Sequence, residues 1–138
     1  GVMNVSPGLV EMWVDIRGVN HDSIIEVLQE LKDEISIIAG AEGTTISIEV
    51  LTSDKPVKLH PLVIGMVETA CRDLKVSYKR MNSGAGHDAM HMASLAPTGM
   101  IFIPCAKGIS HNPEESAAPA DIMTGIDVLT RTLKALAE

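Results

Sequence analysis

The chain has 138 residues, 46% hydrophobic and 21% charged, a globular composition that excludes a disordered tail or low-complexity segment. Its 11 basic and 18 acidic residues give a formal charge of -7, and Trp13, Tyr78 and Phe102 are the only aromatics, which argues against nucleic-acid binding. No apolar run reaches the ~20 residues of a membrane span and the first residues lack a signal-peptide pattern, so a cytoplasmic protein is expected.

Residues 9–17 alternate, with Val10, Met12, Val14 and Ile16 on one side and Glu11, Trp13, Asp15 and Arg17 on the other. Period 2 behind the Pro7-Gly8 turn predicts a half-buried strand. Asn20 to Ser23 offers helix caps, Ile24, Leu28, Leu31, Ile35 and Ile38 follow at helical spacing, and Gly40 is the expected stop. Residues 44–52 alternate again, with Ile46, Ile48 and Val50 on one face, which completes a β-α-β unit. Pro61 suits the first turn of a helix running to about Leu74, with Val63, Val67, Ala70 and Leu74 as its stripe. A short strand is expected over 76–81 and a helix from about His87 to Leu95. The apolar run 100–103, stopped by Pro104, reads as a buried parallel strand. A last helix from Ala120 to Ala137 should turn Ile122, Ile126, Leu129, Leu133 and Leu136 inward. The class is α/β. The β-α-β at the start has too few strands for a stable sheet. It is expected to pair with another chain or to be part of something larger.

Two loops carry candidate chemistry. Gly108-Ile109-Ser110-His111-Asn112-Pro113-Glu114-Glu115 follows the buried run, where open α/β sheets bind ligands. His111 there is a metal ligand, a general base or an exposed loop histidine. Glu114 and Glu115 read as serving the last helix or its solvent face. Ser83-Gly84-Ala85-Gly86-His87-Asp88 brings backbone amides to a helix start, where they suit an anion, a tight turn or a plain cap. Asp88 is positioned to hold His87 in one tautomer. His91 lies one turn after His87, but the glutamate of an HExxH zinc helix is missing. Arg17 offers paired donors for a carboxylate, or a salt bridge to Asp15. Cys71 and Cys105 fit no metal or redox pattern and read as packed thiols.

Asn4-Val5-Ser6-Pro7-Gly8, Val14-Asp15-Ile16-Arg17, Ser83-Gly84-Ala85-Gly86-His87-Asp88-Ala89 and Gly108-Ile109-Ser110-His111-Asn112-Pro113-Glu114-Glu115 occur in that order. Together they resemble the C-terminal part of the N-carbamoyl-L-amino-acid hydrolase and allantoate amidohydrolase branch of the di-zinc aminopeptidase-like hydrolases. The resemblance implies a partial α+β lid and dimerisation domain over residues 1–55. From 56 to 138 it implies the C-terminal segment of an aminopeptidase-like α/β catalytic domain. It implies hydrolysis of a carbamoyl or ureido C–N bond, of N-carbamoyl-L-amino acids or alternatively of allantoate or a ureido acid. His111 matches a zinc ligand, Asn4 and Arg17 match lid residues that hold the substrate, and Gly86 matches a substrate-touching backbone position with His87 beside it. Two divalent ions (Zn, Mn or Co) are implied, of which these residues supply one ligand. The general-base Glu and the other ligands are expected upstream, so none of the 138 residues is assigned a catalytic role. Ser6 departs from the Val usual in the first string. A homodimer through the lid and a small-molecule substrate are implied partners. A non-catalytic dimerisation or binding module is the competing reading.

Overall fold

Helix α1, His21–Glu42, begins where the Asn20 Oδ1 accepts a hydrogen bond from the Ser23 amide at 3.2 Å. The computed structural model describes residues 7–138, and the chain divides into two units, Gly1–Pro56 and Val57–Glu138. Gly40, the expected stop, lies inside α1. The helix ends at Gly43, whose φ of +64° lets its amide donate back to the Ala39 carbonyl. In α1 it is the left-handed residue at the cap that ends the helix, and the glycine within the run does not. His21, Ile24, Leu28, Leu31, Ile35 and Ala39 form the half-buried stripe. Ile38, expected on that stripe, is 51% exposed, because the period carries the stripe from 35 to 39. No residue from 7 to 56 is buried, so this stripe has no complete cover within its own unit.

Residues 9–17 and 44–52, expected as strands, carry no strand assignment, and neither do 76–81 or 100–103. Among the described residues regular structure is helical, so the α/β expectation is met in its helices while its strands are not assigned. A helix satisfies its amides within its own segment, whereas a strand needs a neighbour to bond. The first segment leaves Leu9 at 82% and Met12 and Trp13 at 80% exposure, which is alternation with no sheet to cover it.

The second unit has a small core. Helix α2, Pro61–Asp73, starts with Pro61 in its first turn and His60 as cap, the His60 Nδ1 accepting from the Leu62 amide at 3.3 Å. Helix α4, Pro119–Ala137, packs against α2, and Val63, Ala70, Cys71, Val128 and Thr132 are buried. Val67, Leu74 and Ile101 pack around Ala70, Cys71 and Val128. Thr132 is satisfied by donating to the Val128 carbonyl at 2.8 Å, and Arg131 reaches Asp73 at 2.9 Å across the helix pair. The expected inward face of α4 is corrected. Ile122, Ile126, Leu129, Leu133 and Leu136 are all exposed, and α4 meets α2 through the Val128 and Thr132 face. The packed face also carries half-buried Asp121, Thr124 and Gly125, so the more apolar face of α4 is the one left exposed.

The segment from Thr98 to Ile103 lies close against both helices. Thr98 accepts from the His60 amide at 2.9 Å. A Cβ at Gly99 would stand 2.5 Å from Val63 Cγ1, and one at Gly125 2.6 Å from Ile103 Cγ2. These two glycines permit the close approach. Residues 76–81 are tied to α2 by side chains instead of a ladder. Arg80 makes a bidentate pair with Glu68, both bonds at 2.6 Å, and Arg72 donates to the Tyr78 hydroxyl at 3.3 Å. A short helix α3, Asp88–Met92, replaces the longer one expected, and turns continue the chain to Ala96. Among the described residues no helix is long and apolar enough to cross a membrane.

Candidate functional site

In the second unit, the loop before α3 folds around one hydroxyl. Ser83 Oγ accepts from the Ala85 amide at 3.1 Å and lies 2.7 Å from His87 Nε2. Short serine turns of this kind hydrogen-bond the backbone two residues on, which is why a Ser-Gly-Ala-Gly run closes locally. His87 is half-buried, and its ring meets Phe102 edge-on, with centroids 5.5 Å apart and planes at 64°. His87 is the N-cap residue of α3 but makes no capping bond with its side chain, so its imidazole serves the loop. Ser83, not Asp88, is the side chain within hydrogen-bond distance of the ring among the described residues, which corrects the expectation for Asp88. Gly86 is exposed, and a Cβ there would meet only Met90 Sδ, at 3.9 Å. Its backbone is thus open to a small molecule.

The second loop is shaped by carboxylate and amide caps. A 3₁₀ turn over Ala106–Gly108 precedes it, and the Ala106 amide donates to the Ser116 carbonyl at 2.7 Å, closing the loop at its base. His111 has φ +56°, an uncommon conformation for a residue with a Cβ. Its amide donates to Glu115 Oε2 at 2.8 Å, while Asn112 Oδ1 accepts from the Glu114 amide at 2.9 Å. Glu115 therefore holds the backbone of His111, and α4 begins only at Pro119, so Glu115 serves this loop and not, as expected from the sequence, the last helix. The His111 side chain is exposed. No hydrogen bond, ring contact or ion pair joins it to His87 among the described residues.

Arg17 belongs to the first unit. Its Nε and Nη2 donate to Asp15 Oδ2 at 2.8 and 2.5 Å, with both side chains largely exposed. That hydrogen bond to Arg17 holds the Asp15 carboxyl below its usual range, and the guanidinium is correspondingly raised. Asn4 lies outside the described residues. Ser83, Phe102 and Glu115 are the residues whose roles the sequence did not single out. A serine four positions before a histidine in a glycine loop is the available signal for the first.

Among the described residues no group of three or more His, Cys, Asp or Glu is arranged to hold a metal ion. A catalytic zinc takes about three protein ligands. The described residues do not by themselves make such a site.

Comparison with known proteins gives a consistent result. Across 100% of this chain and 34% of its own length, a hydrolase of Haemophilus influenzae is 47% identical. An N-carbamoyl-L-amino-acid amidohydrolase of a Pseudomonas species is 33% identical over 96% of the chain and 32% of its own length. Ureidoglycolate hydrolase of Arabidopsis thaliana (35% identity, 99% of the chain, 29% of its length) and allantoate amidohydrolase of Escherichia coli (33%, 98% and 33%) are also similar. The crystal structure of an amidase of the hydantoinase/carbamoylase family from Burkholderia multivorans superposes with a TM-score of 0.80 and 34% identity, over 83% of this chain and 28% of that one. The chain spans about one third of the length of the curated relatives it matches. The family model for peptidase family M20/M25/M40 covers residues 2–135, nearly all of the sequence, and the chain belongs to that family.

Proposed function

We propose that the protein carrying this chain is a metal-dependent amidohydrolase that cleaves the carbamoyl C–N bond of N-carbamoyl-L-amino acids. The carrying observation is similarity across nearly the whole chain to a relative named for that activity. Allantoate and ureidoglycolate are the alternative substrates, favoured by the relatives named for them. All three contain the same ureido nitrogen–carbon bond, so one reaction type covers them.

In this reading residues 56–138 are the C-terminal segment of the α/β catalytic domain and residues 1–55 part of an α+β lid. Segments 9–17, 44–52, 76–81 and 100–103 pair in sheets with strands from other parts of the protein. The exposed apolar side chains of residues 9–14 support that reading, because they need such cover, and a homodimer through the lid supplies another layer of it. His111 is one ligand of a two-ion site, the other ligands and the general-base Glu coming from outside these residues. The ions, when bound, supply Lewis acidity and an activated water. Arg17 and Asn4 hold the substrate carboxylate, and the open backbone at Gly86 with His87 beside it faces the ureido end. A cytoplasmic location goes with this reading.

The test is ammonia or amino-acid release by the intact, metal-loaded protein from N-carbamoyl-L-amino acids, allantoate and ureidoglycolate. Turnover of the first above the other two is expected, with loss of turnover on chelation. Activity on none of them would overturn the reading.

A further inference from the structure

His60 is tied into the start of α2 through its backbone and its ring. Its amide donates to the Thr98 carbonyl at 2.9 Å, its carbonyl accepts from the Ile64 amide at 3.1 Å, and its Nδ1 accepts from the Leu62 amide at 3.3 Å. The partner fixes the direction of the ring contact: a backbone N–H only donates, so Nδ1 has to offer a lone pair. A neutral imidazole meets that demand with its hydrogen on Nε2. An imidazolium does not, because both ring nitrogens then carry hydrogen. The usual caps, Asn, Asp, Ser and Thr, keep their acceptor where a histidine loses it, in the range of about pH 5–8. The surroundings do nothing to favour the charged ring. Residues 58–61 and 93–98 line the cleft beside it, and Lys58 is the other titratable side chain there. Helix α2 has no acidic residue in its first turn, and its leading amides form the positive end of the helix dipole. All these contributions have one sign. The capped state holds one proton fewer, so acid favours the uncapped one.

We propose that His60 is a pH-sensitive latch: neutral, it caps α2 and pins Thr98, and protonated, it releases the first turn of α2 and loosens the segment that follows Thr98. The coupling runs through one residue, because the ring that caps and the amide that anchors Thr98 both belong to His60. The anchored segment lies hard against α2, where a Cβ at Gly99 would stand 2.5 Å from Val63 Cγ1. It leads to Phe102, whose ring meets His87 in the glycine loop. The latch thus sits between a titrating side chain and one wall of the candidate site. His60 is exposed, so protons reach the ring freely and water takes the released Leu62 amide. The response is a loosening of this corner and not an unfolding of the unit.

The experiment is hydrogen exchange of the intact protein at about pH 8 and about pH 5. Mass spectrometry reads peptides covering 57–66 and 96–103, and each rate is divided by that of the unstructured peptide at the same pH. His60→Asn, a cap that does not titrate, is the reference, and the ratio to it cancels the effect of acid on the rest of the protein. From the higher pH to the lower, protection of wild type relative to His60→Asn should fall about fivefold in both peptides, the size of one helix cap. His60→Ala, with no side-chain acceptor, should show at both pH values the low protection that wild type reaches in acid. A wild-type ratio that changes by less than about twofold, or His60→Ala protected as well as wild type at the higher pH, overturns the latch. A fall confined to 57–66 overturns the coupling to Thr98 and the segment beyond it.

Discussion

Gly99 lies hard against α2, and Gly99→Ala tests that packing. The new Cβ would lie 2.5 Å from Val63 Cγ1 and 3.3 Å from Val63 Cβ. Carbon atoms pack best at ~3.5–4.0 Å, so about 1 Å of displacement has to be found. Val63 cannot supply it easily. It is 7% exposed, sits in α2, and its branched side chain has one strongly preferred rotamer in a helix. Overpacking of this kind costs ~1–3 kcal/mol. For a unit of this size ~1 kcal/mol is worth about 4–8 °C, so a fall of about 10 °C in the melting midpoint is expected. Val63→Ala removes both γ carbons. In that background the further cost of Gly99→Ala should shrink to below ~0.5 kcal/mol, the coupling expected of two groups in contact. Gly65→Ala is the control: it lies inside α2, its Cβ would meet nothing within 4 Å, and it should gain ~0.5–1 kcal/mol. Thermal and urea melts followed by circular dichroism measure wild type and the four variants. An unchanged midpoint in Gly99→Ala, or an equal loss with and without Val63, would refute the packing argument.

Arg17→Ala should lower kcat/KM by about 100-fold for a substrate with a free carboxylate and little for its amidated analogue, and Arg17→Lys should not rescue it. Equal losses on both substrates would remove Arg17 from the carboxylate clamp. Burial pushes the Cys71 thiol up from 9.0, with Glu68 adding to the effect, and the residue is 5% exposed. Iodoacetamide should therefore label half-buried Cys105 well before Cys71 in the native protein, as read by peptide mass spectrometry; equal rates would contradict the burial of Cys71 between α2 and α4. The Arg80 hydrogen bond holds the Glu68 carboxyl below its ordinary 4.5. A lowered folded value means the contribution is complete above the unfolded one and is lost as pH falls through the folded one. The stability difference between wild type and Glu68→Gln should thus be constant near neutrality and vanish in acid, and a difference independent of pH would exclude the ion pair as its source.

The helices are legible in the amino-acid sequence because their signals are local. Asn20 before α1, Pro61 opening α2 and the run ending at Ala137 each bias the few residues around them, and a helix closes its hydrogen bonds within its own segment. The two histidine-bearing loops were legible as glycine- and proline-punctuated strings between regular segments. The remaining features are nonlocal. Periodicity picked out the more apolar face of α4, but contact with α2 brought Val128 and Thr132 inward and left Leu133 at 56% exposure. The alternating segments needed neighbours to become strands, and among the described residues none forms a ladder. The left-handed backbone of His111 goes with a carboxylate four residues on, and the orientation of His87 with a serine four residues back and an aromatic edge from another segment. A one-dimensional pattern records which side chains are present. Hydrogen bonds of about three ångströms depend on where the chain folds back on itself, and only the folded chain brings those atoms together.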